Sequence, residues 1–112
     1  MAHSRFSAYR IMWIMVFFDL PVDTDKERKA AAEFRKGLIR DGFSMFQFSV
    51  YLRHCASKEN AEVHVQRVRR QLPELGHVGI LAITDKQFGS MELFYGRRHN
   101  NLPEAGEQLT FF

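Results

Sequence analysis

The stretch IMWIMVFFDLPVDTDKER, residues 11–28, runs eight apolar residues straight into Asp19, and a proline and a helix start follow at once. A carboxylate at such an exit has two readings. Asp19 is a turn residue that stops a strand and accepts backbone hydrogen bonds, or it is a hard oxygen ligand for a cation such as Mg2+, placed where the carboxyl ends of strands in open sheets gather ligands. A single carboxylate binds magnesium poorly, and the nearest companions, Asp23 and Asp25, lie in the loop that follows.

The other reactive residue types carry weaker patterns. Ser49 and His54 suggest a nucleophile and base, but side chains at odd spacing on one strand face opposite ways. Cys55 reads as a small packed side chain beside a strand end. The histidines at 3, 54, 64, 77 and 99 show no ligand spacing, and Met12, Met15, Met45 and Met91 sit in apolar segments as core. Arg67, Arg69 and Arg70 form either a solvated helix end or a phosphate-binding cluster. No phosphate-binding loop, dinucleotide fingerprint, zinc-helix signature or nucleophile elbow is present.

The elements that must position these residues follow from periodicity. Residues 11–18 are apolar on both alternating faces, as in a central strand covered on both sides. In TDKE, Thr24 with Glu27 makes a capping box, and Asp23 and Asp25 suit the positive end of the helix dipole. Glu27, Ala31, Phe34 and Leu38 share one helix face; Arg28, Lys29, Lys36 and Arg40 fall on the flank or back, and Gly42 closes the segment just past Asp41. FSMFQFSVYLRH alternates, with Phe46, Phe48, Val50 and Leu52 pointing one way and Gln47, Ser49, Tyr51 and Arg53 the other, as one strand or as two with a break near Gln47. A second helix begins at Ser57, carries Ala61, Val65, Val68 and Leu72 at helical spacing, and ends on Arg67, Arg69 and Arg70 before Pro73. HVGILAIT is a further strand, DKQFGS a turn, and MELFYG a last strand. This order predicts an α+β ferredoxin-like sandwich of βαββαβ type, an antiparallel sheet with two helices on one face. Residues 97–112 read as a polar linker ending in an apolar segment, Leu109, Phe111 and Phe112, that needs a burial site.

The 112 residues make one domain, small enough that an oligomer would help cover its apolar surface. A net charge of +3 favours an acidic partner, and eleven of the sixteen cations are Arg, whose planar fork suits bidentate phosphate contact. One cysteine excludes an internal disulfide, so a reducing cytoplasm is the expected compartment. The apolar run passes for neither a signal peptide, since DLPVDTDKER stands where a small-residue cleavage site belongs, nor a membrane helix, which needs about 20 residues.

VFFDLP, KERKAAAEFRKGLIRDGF and FQFSVYLRH, in this order over roughly residues 9 to 96, resemble the CRISPR-associated family numbered two, the small subunit of the spacer-acquisition complex. Asp-Leu-Pro, the Arg-rich first helix and QFSVY are most similar to the branch that accompanies single-effector, DNA-targeting systems. The resemblance implies a homodimer whose last strand crosses to the partner's sheet, which would bury QLTFF. It matches the family's strand-end aspartate to Asp19, facing its symmetry mate and holding Mg2+ (or Mn2+), and the family's Ser and aromatic to Ser49 and Tyr51. Phe18 stands where many members have Tyr, so a hydroxyl near the metal is missing. Two functions are implied: an adaptor that bridges the integrase subunits and binds duplex DNA, through Arg28, Lys29, Lys36, Arg67, Arg69 and Arg70 as candidate phosphate contacts, or a Mg2+-dependent endonuclease acting on RNA or DNA. A stacking-type RNA binder is disfavoured, because the aromatic signature of that class is missing.

Overall fold

The computed structural model describes residues 10–100 and Leu102. In chain order the elements are β1 (Met12–Asp19), α1 (Asp25–Arg40), β2 (Ser44–Gln47), β3 (Val50–Cys55), α2 (Lys58–Arg70), β4 (His77–Thr84), α3 (Asp85–Gly89), β5 (Leu93–Tyr95) and β6 (Arg98–Asn100). The first six make an antiparallel sheet of order β2-β3-β1-β4 with α1 and α2 on one face, which is the ferredoxin-like sandwich expected.

β1 is central because both of its faces are apolar. Met12, Ile14, Val16 and Phe18 point to the helices and meet Phe34 and Leu38 of α1 and Ala61, Val65 and Val68 of α2. Complete burial of a side chain such as Ile14 or Val16 stabilises the fold by about 1.5–3 kcal/mol. Trp13 points the other way and packs with Phe46, Leu52, Phe88 and Leu93. Its indole stacks on Phe88 at 4.1 Å between centroids and donates to the Asp85 carboxylate at 2.7 Å. That second face is covered only in part. Beyond Trp13, Phe17 and Leu81 remain about half exposed. Both edge strands pair on one side only among the described residues, and β4, eight residues long, is the longer edge.

One open alternative resolves and several sequence expectations change. Residues 43–54 form two strands, because Phe48 and Ser49 make a two-residue turn and the β2–β3 register slips between Met45 and Gln47. Phe48 therefore leaves the face it was expected to share with Phe46 and Leu52. DKQFGS is α3 rather than a plain turn: Thr84 and Gln87 make a second capping box, at 3.1 and 2.9 Å, which lets Phe88 reach the core. α3 redirects the chain across the face opposite the long helices, so β5 seals Trp13 through Leu93 and pairs with β6 in a separate ribbon instead of extending the sheet. Leu72 lies past the end of α2, at Arg70, and is exposed. Of the segment expected to be linker and exchanged strand, residues 97–112, Arg98–Asn100 form β6, and the apolar LTFF end lies outside the described residues. Among the described residues no helix is long and apolar enough to cross a membrane.

Candidate functional site

Asp19 is the last residue of β1 and lies opposite His77 of β4 in the register. Strand alternation puts it on the face of Trp13, Met15 and Phe17, away from the helices, and it is exposed. The backbone on both sides of it is fixed. Gly76, at φ +98°, brings the turn before β4 so close that a Cβ there would lie 2.8 Å from the Asp19 carbonyl oxygen, so only glycine fits. Downstream, the Glu27 carboxylate accepts from the amides of Asp23 and Thr24 at 3.0 and 2.9 Å, while the Glu27 amide donates to the Thr24 hydroxyl at 3.1 Å. Asp25 is paired with Arg28. Among the described residues no group of three or more His, Cys, Asp or Glu is placed to hold a metal ion. Among the described residues one chain therefore brings a single carboxylate to this point, and that donor set does not by itself fit a divalent cation.

Ser49 and Tyr51 lie close to Asp19 along the sheet but play different parts. Ser49 has φ +66°, a left-handed conformation uncommon outside glycine, and its carbonyl accepts from the Phe18 amide at 3.1 Å. It ties the β2–β3 turn to the exit of β1. Tyr51 is buried among the core residues on the helix face, its ring 5.7 Å from that of Phe18.

The expected phosphate contacts divide into two groups. On α1, Arg28 is held by Asp25 and by the Val22 carbonyl at 2.9 Å, Lys36 is 3.9 Å from Glu33, and Lys29 is exposed. At the ends of the two helices, Arg67 and Arg70 line one open groove with Arg40, Asp41, Gly37 and Gln71. Arg69 is exposed in the same last turn of α2. Arg40 was absent from the sequence-based set, although its place in the last turn of α1 marked it.

Beneath that groove is a network that spacing did not reveal. Asp41, at the C-cap of α1, accepts from His64 Nδ1 and from Arg67, each at 2.8 Å, and its backbone carbonyl accepts from Arg53 at 2.7 Å. Burial pushes the Asp41 carboxyl up, but the hydrogen bonds from His64 and Arg67, with the charges behind them, outweigh it and hold the group below its ordinary 3.8. Arg67 is thereby held at one nitrogen while more than half of its side chain remains exposed. Cys55, buried nearby, has its thiol pushed up, chiefly by burial, so it is a packed residue rather than a nucleophile.

The family model for the CRISPR associated protein Cas2 matches residues 12–91, from β1 through α3. A protein named CRISPR-associated endoribonuclease Cas2 from Flavobacterium psychrophilum is 59% identical over 110 residues, covering 98% of this chain and 96% of its own length. Proteins of the same name from Parvibaculum lavamentivorans and Paracidovorax avenae are 52% and 44% identical, over 90% and 95% of this chain and 100% and 98% of their own lengths. With the sandwich topology and the strand-end aspartate in place, these matches identify the chain as a member of the Cas2 family of CRISPR-associated proteins.

Proposed function

We propose that this protein works in the cytoplasm as a homodimer that binds duplex DNA through its phosphates and bridges the integrase subunits during the acquisition of new spacers. The observation that carries this reading is the separation of the arginine groove from the carboxylate. α1 starts beside Asp19 and ends at Arg40, and a helix of its 16 residues is ~24 Å long. The groove of Arg40, Arg67 and Arg70 therefore lies at the far end of the helix layer from Asp19. An enzyme that binds and cuts at one centre needs cations converging on the reacting phosphate. A surface that only holds a duplex needs cations spread along the backbone.

The dimer follows from what one chain leaves open. Phe17 and Leu81 on the half-covered sheet face, and the edge of β4 that is unpaired among the described residues, are surfaces that a second copy would cover. A strand carrying QLTFF from the partner suits the apolar β4 edge. A two-fold axis near the β1 exit would also place two Asp19 carboxylates together.

The second reading, a metal-dependent endonuclease for RNA or DNA, is favoured by the name its relatives carry. Two Asp19 carboxylates with phosphate oxygens would suit Mg2+ or Mn2+, which supplies positive charge at the phosphodiester and a more acidic bound water. The chain's own part is to hold both carboxylates rigidly, through Gly76 on one side and the Thr24 cap on the other. The two readings separate in one experiment on wild type and Asp19→Ala, scored for duplex binding and for cleavage of labelled RNA and DNA in Mg2+ and in EDTA. The adaptor reading expects equal binding by both proteins and no cleavage that depends on Asp19. Cleavage by wild type in Mg2+ that disappears in Asp19→Ala would establish the nuclease instead.

A further inference from the structure

Phe48 is 76% exposed at the tip of the β2–β3 turn, yet it does not stand alone. The Arg35 guanidinium carbon lies 5.4 Å from the centroid of the Phe48 ring and 5.4 Å from that of the buried Phe18 ring. Arg35 thus lies over both a core ring and a surface ring. Among the described residues Arg35 forms no ion pair, so its charge is not cancelled by a carboxylate. The turn that carries Phe48 is fixed in place: Gln47 and Val50 are register partners across it, and the Ser49 carbonyl accepts from the Phe18 amide. Phe18 is the residue before Asp19, so this assembly stands at the exit of β1 and away from the arginine groove at the helix ends.

We infer that Phe48, backed by Arg35, is a stacking platform for one unpaired nucleobase, and that the ligand of this end of the molecule is single-stranded nucleic acid. The inference rests on the nucleic-acid-binding reading and adds a strand type and a contact to it. A flat ring held from behind by a cation offers its free face to another π-system, and stacking of this kind tolerates any base because every base has a π-face. The neighbouring charge attracts the phosphate that accompanies that base. A protein partner would call for a continuous apolar patch, whereas Phe48 is flanked in sequence by Gln47 and Ser49. A base inside a duplex is already stacked on both faces, so the inferred occupant is an unpaired one, and the duplex in the test carries closed hairpin ends so that no terminal pair offers a free face.

The test uses the full chain, a short single-stranded oligonucleotide carrying one 2-aminopurine, and a duplex of matching length, with Phe48→Ala, Phe48→Leu and Phe48→Trp beside wild type. Wild type should quench 2-aminopurine on binding. Phe48→Ala should weaken single-strand binding ~5- to 150-fold and lose the quench. Phe48→Trp should keep both, Phe48→Leu should lose both although it remains apolar, and duplex affinity should be unchanged throughout. Phe48→Leu matching wild type, or Phe48→Ala weakening duplex and single strand equally, would overturn the platform, as would a drop in dimer mass by light scattering for Phe48→Ala, which would make the ring a contact between copies. A wild type that binds duplex but shows no Phe48 effect refutes the platform alone, while one that binds no nucleic acid refutes the proposed function with it.

Discussion

Replacing Asp41 by alanine tests whether the network under the arginine groove holds the two helices together. The carboxylate is 10% exposed and His64 is 7% exposed, so their 2.8 Å contact is screened little by water. A hydrogen bond to a charged group at such a site stabilises by ~1.5–3 kcal/mol. The Arg67 contact involves a side chain 55% exposed and adds ~0.2–1 kcal/mol. The expected loss is therefore ~2–4 kcal/mol, and for a domain of this size ~4 °C of Tm per kcal/mol makes that ~8–16 °C. The sign with pH is fixed as well. Unfolded Asp41 takes up its proton near 3.8, and the folded group does so only at lower pH. Its contribution is therefore complete above 3.8 and fades as pH falls through the folded value, so the Asp41 share of the gap between wild type and Asp41→Ala should close as pH falls below the ordinary carboxylate range. The assay is thermal unfolding at matched protomer concentration, followed by the fluorescence of Trp13, the only tryptophan and 99% buried (1% exposed). A Tm shift under ~2 °C, or a gap that widens in acid, would refute the reasoning.

Two more outcomes are expected. A Cβ at Gly79 would lie 2.2 Å from the half-exposed Phe17 ring, so Gly79→Val should swing that ring off the sheet face; valine's strand preference, worth up to ~1 kcal/mol, offsets the fold penalty, and the change should appear mainly as a dimer weakened ~10-fold in sedimentation on dilution, an unchanged dimer counting against this face as the interface. Deleting residues 108–112 should give monomer or aggregate by light scattering, and an intact dimer would rule out an exchanged C-terminal strand.

Much of this architecture was legible because it is local. Thr24 and Glu27 fix the start of α1 within four residues, and the eight-residue apolar run reads as a central strand, although its second face is covered only in part. The misses have physical causes. TDKQ at residues 84–87 has the same capping spacing as TDKE, but the helix it starts is only five residues long and carries one buried anchor, Phe88, too little for a periodic signal. Phe48 falls in step with the strand alternation on either side, which left a break near Gln47 undecided and assigned Phe48 to a face it does not join. Asp41 and His64 are 23 residues apart, and their pairing depends on how α1 and α2 end beside one another, which no window of sequence contains. Asp19 was legible in place; under the proposed dimer its role depends on a second chain.

The central claim is that this protein holds nucleic acid through phosphates and reads no sequence. Its most direct test is the affinity of the full-length protein for two duplexes of unrelated sequence, measured in EDTA from 50 to 200 mM salt. Arg40, Arg67 and Arg70 from each of two protomers would make six phosphate contacts, so the slope of log affinity against log salt should be about −5, with a loss of ~10³ across the range and the same curve for both duplexes. Binding that is flat in salt, or a marked preference for one sequence, would contradict the account.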